Sequence, residues 1–174
     1  MLTVRYLRMR KRLIADSTGR GGTAIDAQDS GAEWLDLDEL AEVEISSEDP
    51  QFPIEGAFSR VPTAGWRASK TGPQTVRLVF EQPVKIRRIQ IRFVESSVER
   101  SQEFALYAQS ATGGLREIRR QQFTFSPGGG TEELEDYAVE LDSITGLELR
   151  IDPDRSHDPN QSQAYATLAS LRLG

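Results

Sequence analysis

Apolar and polar residues alternate along most of the chain, and this alternation predicts β-strands. Residues 75–80 form one such segment, which ends before Pro83. Residues 84–93 form the next segment, in which the apolar spacing changes after Ile86. Because that change breaks the period of two, we predict a β-bulge at Arg87–Arg88.

The same pattern recurs every 10–15 residues, with glycine, proline or aspartate between the segments. An earlier strand with one buried face is predicted at residues 41–45. Later strands are predicted at residues 104–108, 118–125, 135–141, 144–151 and 164–173. About eight short strands without a long helix are typical of an all-β sandwich or barrel rather than an α/β fold.

The N-terminal part of the chain carries strongly uneven charge. Residues 1–22 hold six basic residues and one acid, whereas residues 23–49 hold ten acids and no base. Residues 1–14 are predicted to be an edge strand or a short basic helix. The acidic run is most simply a solvated face, although it could pair with the basic segment. We divide the chain into an N-terminal extension, residues 1–41, and one sandwich domain, residues 42–174.

Composition narrows the cellular setting. The 174 residues contain no cysteine, which excludes disulfides and cysteine-based metal sites and agrees with a reducing compartment. No apolar run approaches the roughly 20 residues that span a membrane, and the N-terminus lacks the apolar core of a secretory signal. We therefore expect a cytoplasmic protein without a cofactor. Residues 50–174 are nearly neutral, so no overall basic field attracts nucleic acid.

The segment from Ile45 to Phe80 contains two characteristic motifs. They are Ser-Ser-Glu-Asp-Pro at 46–50 and Gly-Trp-Arg-Ala-Ser-Lys-Thr-Gly at 65–72. This arrangement resembles the opening of discoidin-like (galactose-binding-like) β-sandwiches, and it is similar to the N-terminal domain of the XRCC1 family of DNA-repair scaffold proteins. The discoidin-like resemblance covers about residues 42–173 and implies a jelly-roll-type antiparallel β-sandwich.

The resemblance also implies a binding module rather than an enzyme, with its ligand on loops at one end of the sandwich or on an exposed sheet face. We therefore predict a non-catalytic module that binds a carbohydrate or a protein partner, although fold similarity alone does not determine a ligand. The predicted ligand-binding residues are Glu48, Asp49, Trp66, Arg67, Lys70, Glu95 and Arg100.

Several of these residues also have a purely structural interpretation. Trp66 could stack on a sugar and Arg67 could bind an anion. The resemblance favours the alternative in which Trp66 closes the core and Arg67 pairs with Glu48 or Asp49. The two carboxylates could also hold Ca²⁺, but they lack Asp-x-Asp-x-Asp spacing, and Asp49 before Pro50 is a suitable helix cap.

The remaining polar clusters favour solvated or paired side chains. Two arginine groups could form a basic stripe, but pairing with nearby acids is favoured because the body is nearly neutral. The first group is Arg87, Arg88 and Arg92, and the second is Arg116, Arg119 and Arg120. The loop at 152–160 holds the only histidine, His157, which could bind a metal with Asp152, Asp154 and Asp158, although a solvated turn is favoured.

Two other functions remain as alternatives. A nucleic-acid-binding, repair-type module for nicked DNA is suggested by the XRCC1-like segment and the basic N-terminus. A glycan-acting enzyme would need two carboxylates facing one cleft, which sequence cannot test because spatial distance decides it. No Gly-x-Ser-x-Gly motif or cysteine nucleophile is present. The arginine-rich N-terminus also suggests docking on an acidic partner or self-association.

Overall fold

The computed structural model describes residues 10–14, 34–156 and 164–174. These residues form nine strands and two one-turn helices, joined by loops and turns. The elements are β1 Arg10–Leu13, α1 Leu37–Leu40, β2 Ala41–Ile45, α2 Glu55–Phe58, β3 Trp66–Thr71, β4 Gln74–Val94, β5 Arg100–Ser110, β6 Leu115–Phe125, β7 Glu132–Asp152, β8 Tyr165–Leu168 and β9 Ser170–Leu173. Neither helix is long and apolar enough to cross a membrane.

The strands form two packed layers. The first layer has the order β1-β2-β4-β7-β5-β6, with the early half of β4 and the later half of β7. The second layer has the order β9-β4-β7, with the later half of β4 and the early half of β7. Phe93 of the second layer lies against Phe104 of the first, with ring centroids 5.4 Å apart. A separate two-stranded sheet joins β3 and β8. The predicted all-β, antiparallel sandwich is therefore confirmed, with the addition of a parallel pair between β1 and β2.

Two pairs of predicted strands are in fact single, bent strands. β4 runs through Pro83, and the ladder that joins it to β7 is interrupted between Val79 and Val84. Proline has no backbone N–H to donate, and it is tolerated there because the ladder has no hydrogen bond at that position. β7 bends at the matching place, where Ser143 has a φ of 53°. The sequence prediction of separate strands on either side of each bend was wrong for this reason.

Trp66 lies on a strand rather than on the predicted loop. It is the first residue of β3 and stands opposite Leu168 of β8. Only 1% of its surface is exposed, and it is among the largest fully buried side chains. The small β3–β8 sheet therefore closes one side of the core with the indole ring.

The described residues of the N-terminal extension lie on the sandwich. The backbone N–H of Leu35 donates to the carbonyl of Leu173 at 2.7 Å, and Leu37 is buried in the core. The backbone N–H of Ile14 donates to the carbonyl of Ile45 at 2.9 Å. The boundary at residue 41 between extension and domain stays a prediction.

The interior is polar along one edge, between β5, β6 and the early half of β7. Glu133 stands opposite the buried Phe93 in the β4–β7 ladder, so its side chain shares the inward direction. Glu133 is 3% exposed and Gln102 of β5 is 1% exposed. Neither side chain has a hydrogen-bond partner among the described residues. Burial, with Glu135 nearby, raises the pKa of Glu133 to about 7.

This carboxyl group should make the protein less stable as pH rises. Its folded-state pKa is above the unfolded value, so the folded state holds the proton more tightly between about pH 4.5 and 7. The free energy of unfolding should therefore fall by about 2–3 kcal/mol across that window. Urea denaturation at pH 5 and pH 8 should show a smaller decrease in Glu133→Gln. A decrease as large as that of the wild type would contradict this assignment. Glu140→Gln, at an exposed position of the same strand, is the control.

Candidate functional site

The sequence-predicted ligand-binding residues form two groups at the same end of the first layer. Glu48 and Asp49 follow β2, with Arg67 beside them, whereas Glu95 and Arg100 flank the start of β5. β4 and β7 lie between β2 and β5, so the two groups are three strand spacings apart, about 14 Å at about 4.8 Å per spacing.

The first group is bound within the fold. The Asp49 carboxylate accepts a hydrogen bond from Arg67 Nε at 3.1 Å and from the backbone N–H of Gln51 at 2.9 Å. These bonds, the Arg67 bond first, hold the pKa of Asp49 below its usual value. Asp49 therefore caps a turn, while α2 begins only at Glu55. The Lys70 side chain is exposed, and its backbone N–H donates to Ser47 Oγ at 3.2 Å.

Trp66, Arg67 and Glu48 stabilise this end of the sandwich. The indole of Trp66 is buried, and the Arg67 guanidinium lies over the Phe52 ring, 4.4 Å from its centroid. Glu48 accepts hydrogen bonds from Lys11 Nζ at 2.7 Å and from the backbone N–H of Ile54 at 2.8 Å. This arrangement corresponds to the structural interpretation of Trp66 and Arg67. A ligand-binding role for these residues stays a prediction.

The second group holds the loop before β5. Arg100 is 2% exposed, and its NH1 donates to the carbonyl of Pro153 at 2.7 Å. Its Nε donates to Glu95 at 3.3 Å. Burial lowers the pKa of Arg100, and Glu95 partly offsets that effect. Glu95 also accepts from the backbone N–H of Ser97 at 2.8 Å. Arg100 is thus inaccessible to a ligand in this conformation.

Four of the six arginines of the predicted basic stripe, Arg87, Arg88, Arg92 and Arg120, are paired with acids, as favoured in the sequence analysis. Arg88 donates twice to Asp136, each time at 2.8 Å, and Arg92 donates to Glu132 at 2.8 Å. On the other layer Arg120 donates to Glu117 at 2.7 Å. These pairs offset much of the positive charge on which the nucleic-acid alternative depends, and that alternative stays a prediction.

The predicted metal-binding alternative is only partly within the described residues. His157 and Asp158 lie outside them. Asp154 Oδ1 accepts hydrogen bonds from the backbone and hydroxyl groups of Ser156, at 3.1 and 2.5 Å. Within residues 10–14, 34–156 and 164–174, no group of three or more histidine, aspartate or glutamate side chains is arranged to hold a metal ion.

A cleft beside the second layer is the strongest candidate site. It has a volume of about 610 Å³ and lies between residues 34–38, α2 with the two residues that follow it, and β9. Trp34 lines it and is half-buried. The Arg88 and Arg172 guanidinium groups lie 5.1 and 5.9 Å from the centroid of the Trp34 ring. These two cations help to fix the orientation of the indole.

The polar groups of the cleft are mainly carboxylates. Asp36, Asp38 and Glu55 line it, together with Arg60, whose NH2 donates to Asp36 at 3.3 Å. Partial burial, followed by the charges of Asp36 and Glu55, raises the pKa of Asp38. An aromatic ring with several hydrogen-bonding groups in a cavity of this size is typical of small-ligand sites.

Sequence reasoning did not identify this cleft. Trp34 lies in the acidic run, which was predicted to be solvated or paired with the basic N-terminus, and no contact was predicted for its ring. The cleft joins residues 34–38 to residues 55–60 and 171–172, which are distant in sequence. The only local signal is an aromatic residue followed by acids, a pattern also typical of a solvated turn.

Comparisons with known proteins identify the fold. No family model matches the sequence, and no curated protein matches it. Among solved structures, CBM32 of AlyQ in complex with 4,5-unsaturated mannuronic acid is 13% identical, with a TM-score of 0.57, covering 82% of this chain and 98% of that chain. CpGH89CBM32-5 from Clostridium perfringens, in complex with GalNAc-β-1,3-galactose, is 14% identical, with a TM-score of 0.54 and coverages of 81% and 99%.

The locally similar repair protein also appears in this comparison. The structure of reduced XRCC1 bound to the DNA pol beta catalytic domain is 17% identical, with a TM-score of 0.51, covering 75% of this chain and 91% of that chain. These similarities confirm the predicted discoidin-like (galactose-binding-like) β-sandwich. At such low identity they establish the fold alone.

Proposed function

We propose that this protein is a non-catalytic carbohydrate-binding module whose saccharide lies in the cleft beside Trp34. The observation that carries the proposal is the cleft itself, about 610 Å³, with an indole held in place on its wall and carboxylates around it. Two structural neighbours, the CBM32 domains of AlyQ and of CpGH89, were solved with bound saccharides, which supports the same ligand class here.

The chemistry of the cleft suits a sugar. A pyranose has an apolar C–H face and a rim of hydroxyl groups, so it binds aromatic side chains and hydrogen-bonding groups together. Trp34 and Phe58 supply the apolar wall, and Asp36, Asp38 and Arg60 supply acceptors and donors. The proposed saccharide site does not include the sequence-predicted residues Glu48 and Arg100, although Glu55 of the cleft and Glu48 share Lys11 as an ion-pair partner.

Replacement of Trp34 by alanine should weaken saccharide binding at least about tenfold, because the apolar wall is lost, and tenfold corresponds to about 1.4 kcal/mol. Isothermal titration calorimetry with a panel of mono- and disaccharides is the measurement. Tyr165→Ala, an exposed aromatic on β8, is the control and should bind normally. Asp38→Asn tests the polar rim without removing the ring. Equal affinity in the wild type, Trp34→Ala and Asp38→Asn would contradict the proposed site.

The glycan-acting alternative can be tested on the same samples. Three carboxylates line the cleft, but Asp36 is paired with Arg60 and Glu55 with Lys11. Ion pairing occupies oxygen atoms of two of these carboxylates, whereas glycoside hydrolysis needs two carboxyl groups free to face one sugar ring. We therefore expect binding without release of reducing ends. Saccharide cleavage that is lost in Asp38→Asn would replace the binding-module proposal with an enzymatic one.

A further inference from the structure

β1 is attached to the sandwich almost entirely by charge and backbone pairing. Its four residues, Arg10–Leu13, are all exposed, and its one apolar side chain, Leu13, is 66% exposed. It pairs in parallel with β2, from Arg10 opposite Glu42 to Leu13 opposite Ile45. The strand therefore contributes little hydrophobic stabilisation, and the ion pairs of exposed side chains contribute little each.

Each basic residue of β1 meets an acid on a different part of the body. Arg10 pairs with Glu81 in the bend of β4, and Arg12 pairs with Glu44 of β2. Lys11 Nζ lies 2.7 Å from Glu48 and 3.0 Å from Glu55. Side chains of successive strand residues point to opposite faces of the sheet. Arg10 and Arg12 therefore contact acids on one face, and Lys11 contacts acids on the other.

Without β1, the outer edge of β2 would be left with excess acid. The Glu44 carboxylate is 7% exposed and is shared between Arg12 and Arg77, while Arg77 also pairs with the 2% exposed Glu148. Loss of Arg12 would leave the buried Glu44 carboxylate with Arg77 as its remaining cation, whereas Glu148 would keep both Arg77 and Arg150. An exposed strand edge also leaves backbone N–H and C=O groups unpaired. Both deficits are corrected by an extended segment that carries cations.

We propose that the outer edge of β2 is a docking site for a basic extended peptide of a partner protein, and that β1 occupies it in the unbound protein. The partner segment would add a strand in parallel and place cations at three successive positions, against Glu81, against Glu48 with Glu55, and against Glu44. Strand addition of this kind obtains affinity from main-chain hydrogen bonds and selectivity from alternating side chains. The proposal does not rest on the saccharide site, although the two sites share Glu55.

Competition with β1 determines how the site should behave. Because β1 belongs to the same chain as β2, it competes with a free peptide as an intramolecular segment, at a higher effective concentration than a dilute peptide. A free peptide should therefore bind the wild type weakly and bind much better when β1 no longer fits. Since the contacts are ionic, affinity should fall as salt rises.

The test uses a fluorescent peptide with the sequence of residues 8–14, Arg-Met-Arg-Lys-Arg-Leu-Ile, and the full chain carrying Arg10→Ser, Lys11→Ser and Arg12→Ser. Fluorescence anisotropy should show at least about tenfold tighter binding to this triple variant than to the wild type. Adding Glu44→Gln to the triple variant should reverse most of that gain. A peptide with glutamine in place of its four basic residues should not bind.

Equal binding to the wild type and the triple variant, or binding unaffected by Glu44→Gln, would overturn the proposal. Circular dichroism monitors folding, and Arg12→Ser alone provides a milder variant that should give a smaller gain if the triple variant is unstable. Concentration-dependent dimerisation of the wild type that Arg12→Ser abolishes would assign the edge to a second copy of this chain and overturn the peptide assignment.

Discussion

Replacing Trp66 by alanine should reduce the free energy of unfolding by about 3–5 kcal/mol, the range for deletion of a large buried aromatic side chain. The indole is 1% exposed and stands opposite Leu168, where it links the two-stranded β3–β8 sheet to the core. Two strands alone are marginally stable, so this small sheet depends on the packing of the indole. A loss of this size is a large share of the 5–15 kcal/mol that stabilises a typical domain.

Urea denaturation followed by circular dichroism measures this loss. Trp66→Phe is the matched control, because it keeps an aromatic ring and removes an indole N–H that has no hydrogen-bond partner among the described residues. It should cost clearly less than Trp66→Ala. If Trp66→Ala costs less than about 1 kcal/mol, the ring does not support the core. The ligand-stacking role predicted from the sequence would then become the better explanation of this residue.

Replacing Gly65 by alanine should cost at least about 3 kcal/mol for two separate reasons. Gly65 has a φ of +72°, a left-handed conformation that costs an L-residue about 1–2 kcal/mol. A Cβ atom there would also lie 2.3 Å from the carbonyl oxygen of Leu168 and 2.8 Å from Cα of Ala169. Both are backbone atoms at the junction of β8 and β9, so they cannot move aside as a flexible side chain would.

Gly72 provides a matched control for the steric part of this effect. It has a φ of +78°, but no atom lies within 4 Å of where its Cβ would stand. Gly72→Ala should therefore cost only the backbone strain, about 1–2 kcal/mol. The same denaturation experiment on both variants separates strain from overlap. Similar losses in the two variants would show that the close approach of β8 to Gly65 does not occur in solution.

The alternation of apolar residues predicted the strands because each layer buries only one of its faces. The change of spacing at Ile86 correctly predicted a bulge, since the β4–β7 register shifts between Ile86 and Arg88. Pro83 was misread as the end of a strand, because sequence does not show that the ladder is already interrupted at this bend. The resemblance around Trp66 favoured a ring that closes the core, but it placed the residue on a loop, because pairing with a strand about 100 residues later is not visible in the local sequence.

The acidic run at residues 23–49 shows where the sequence was ambiguous. Solvation and pairing with the basic N-terminus were both considered, and the structure contains both outcomes. Glu44 pairs with Arg12 across the β1–β2 edge, whereas Glu39 is solvent-exposed. The cleft beside Trp34 could not be predicted at all, because its walls come from three distant segments and their proximity depends on the completed fold.

The two long bent strands have a consequence for how the protein folds and fails. β4 and β7 each pass through both layers, so neither layer can form or separate as an independent unit. Gln74 pairs with Ile151, and closing that span of about 75 residues costs conformational entropy before the contacts between these strands are gained. Assembly is therefore expected to be slow and all-or-none. A destabilising substitution at either bend should therefore unfold the whole sandwich rather than a single sheet.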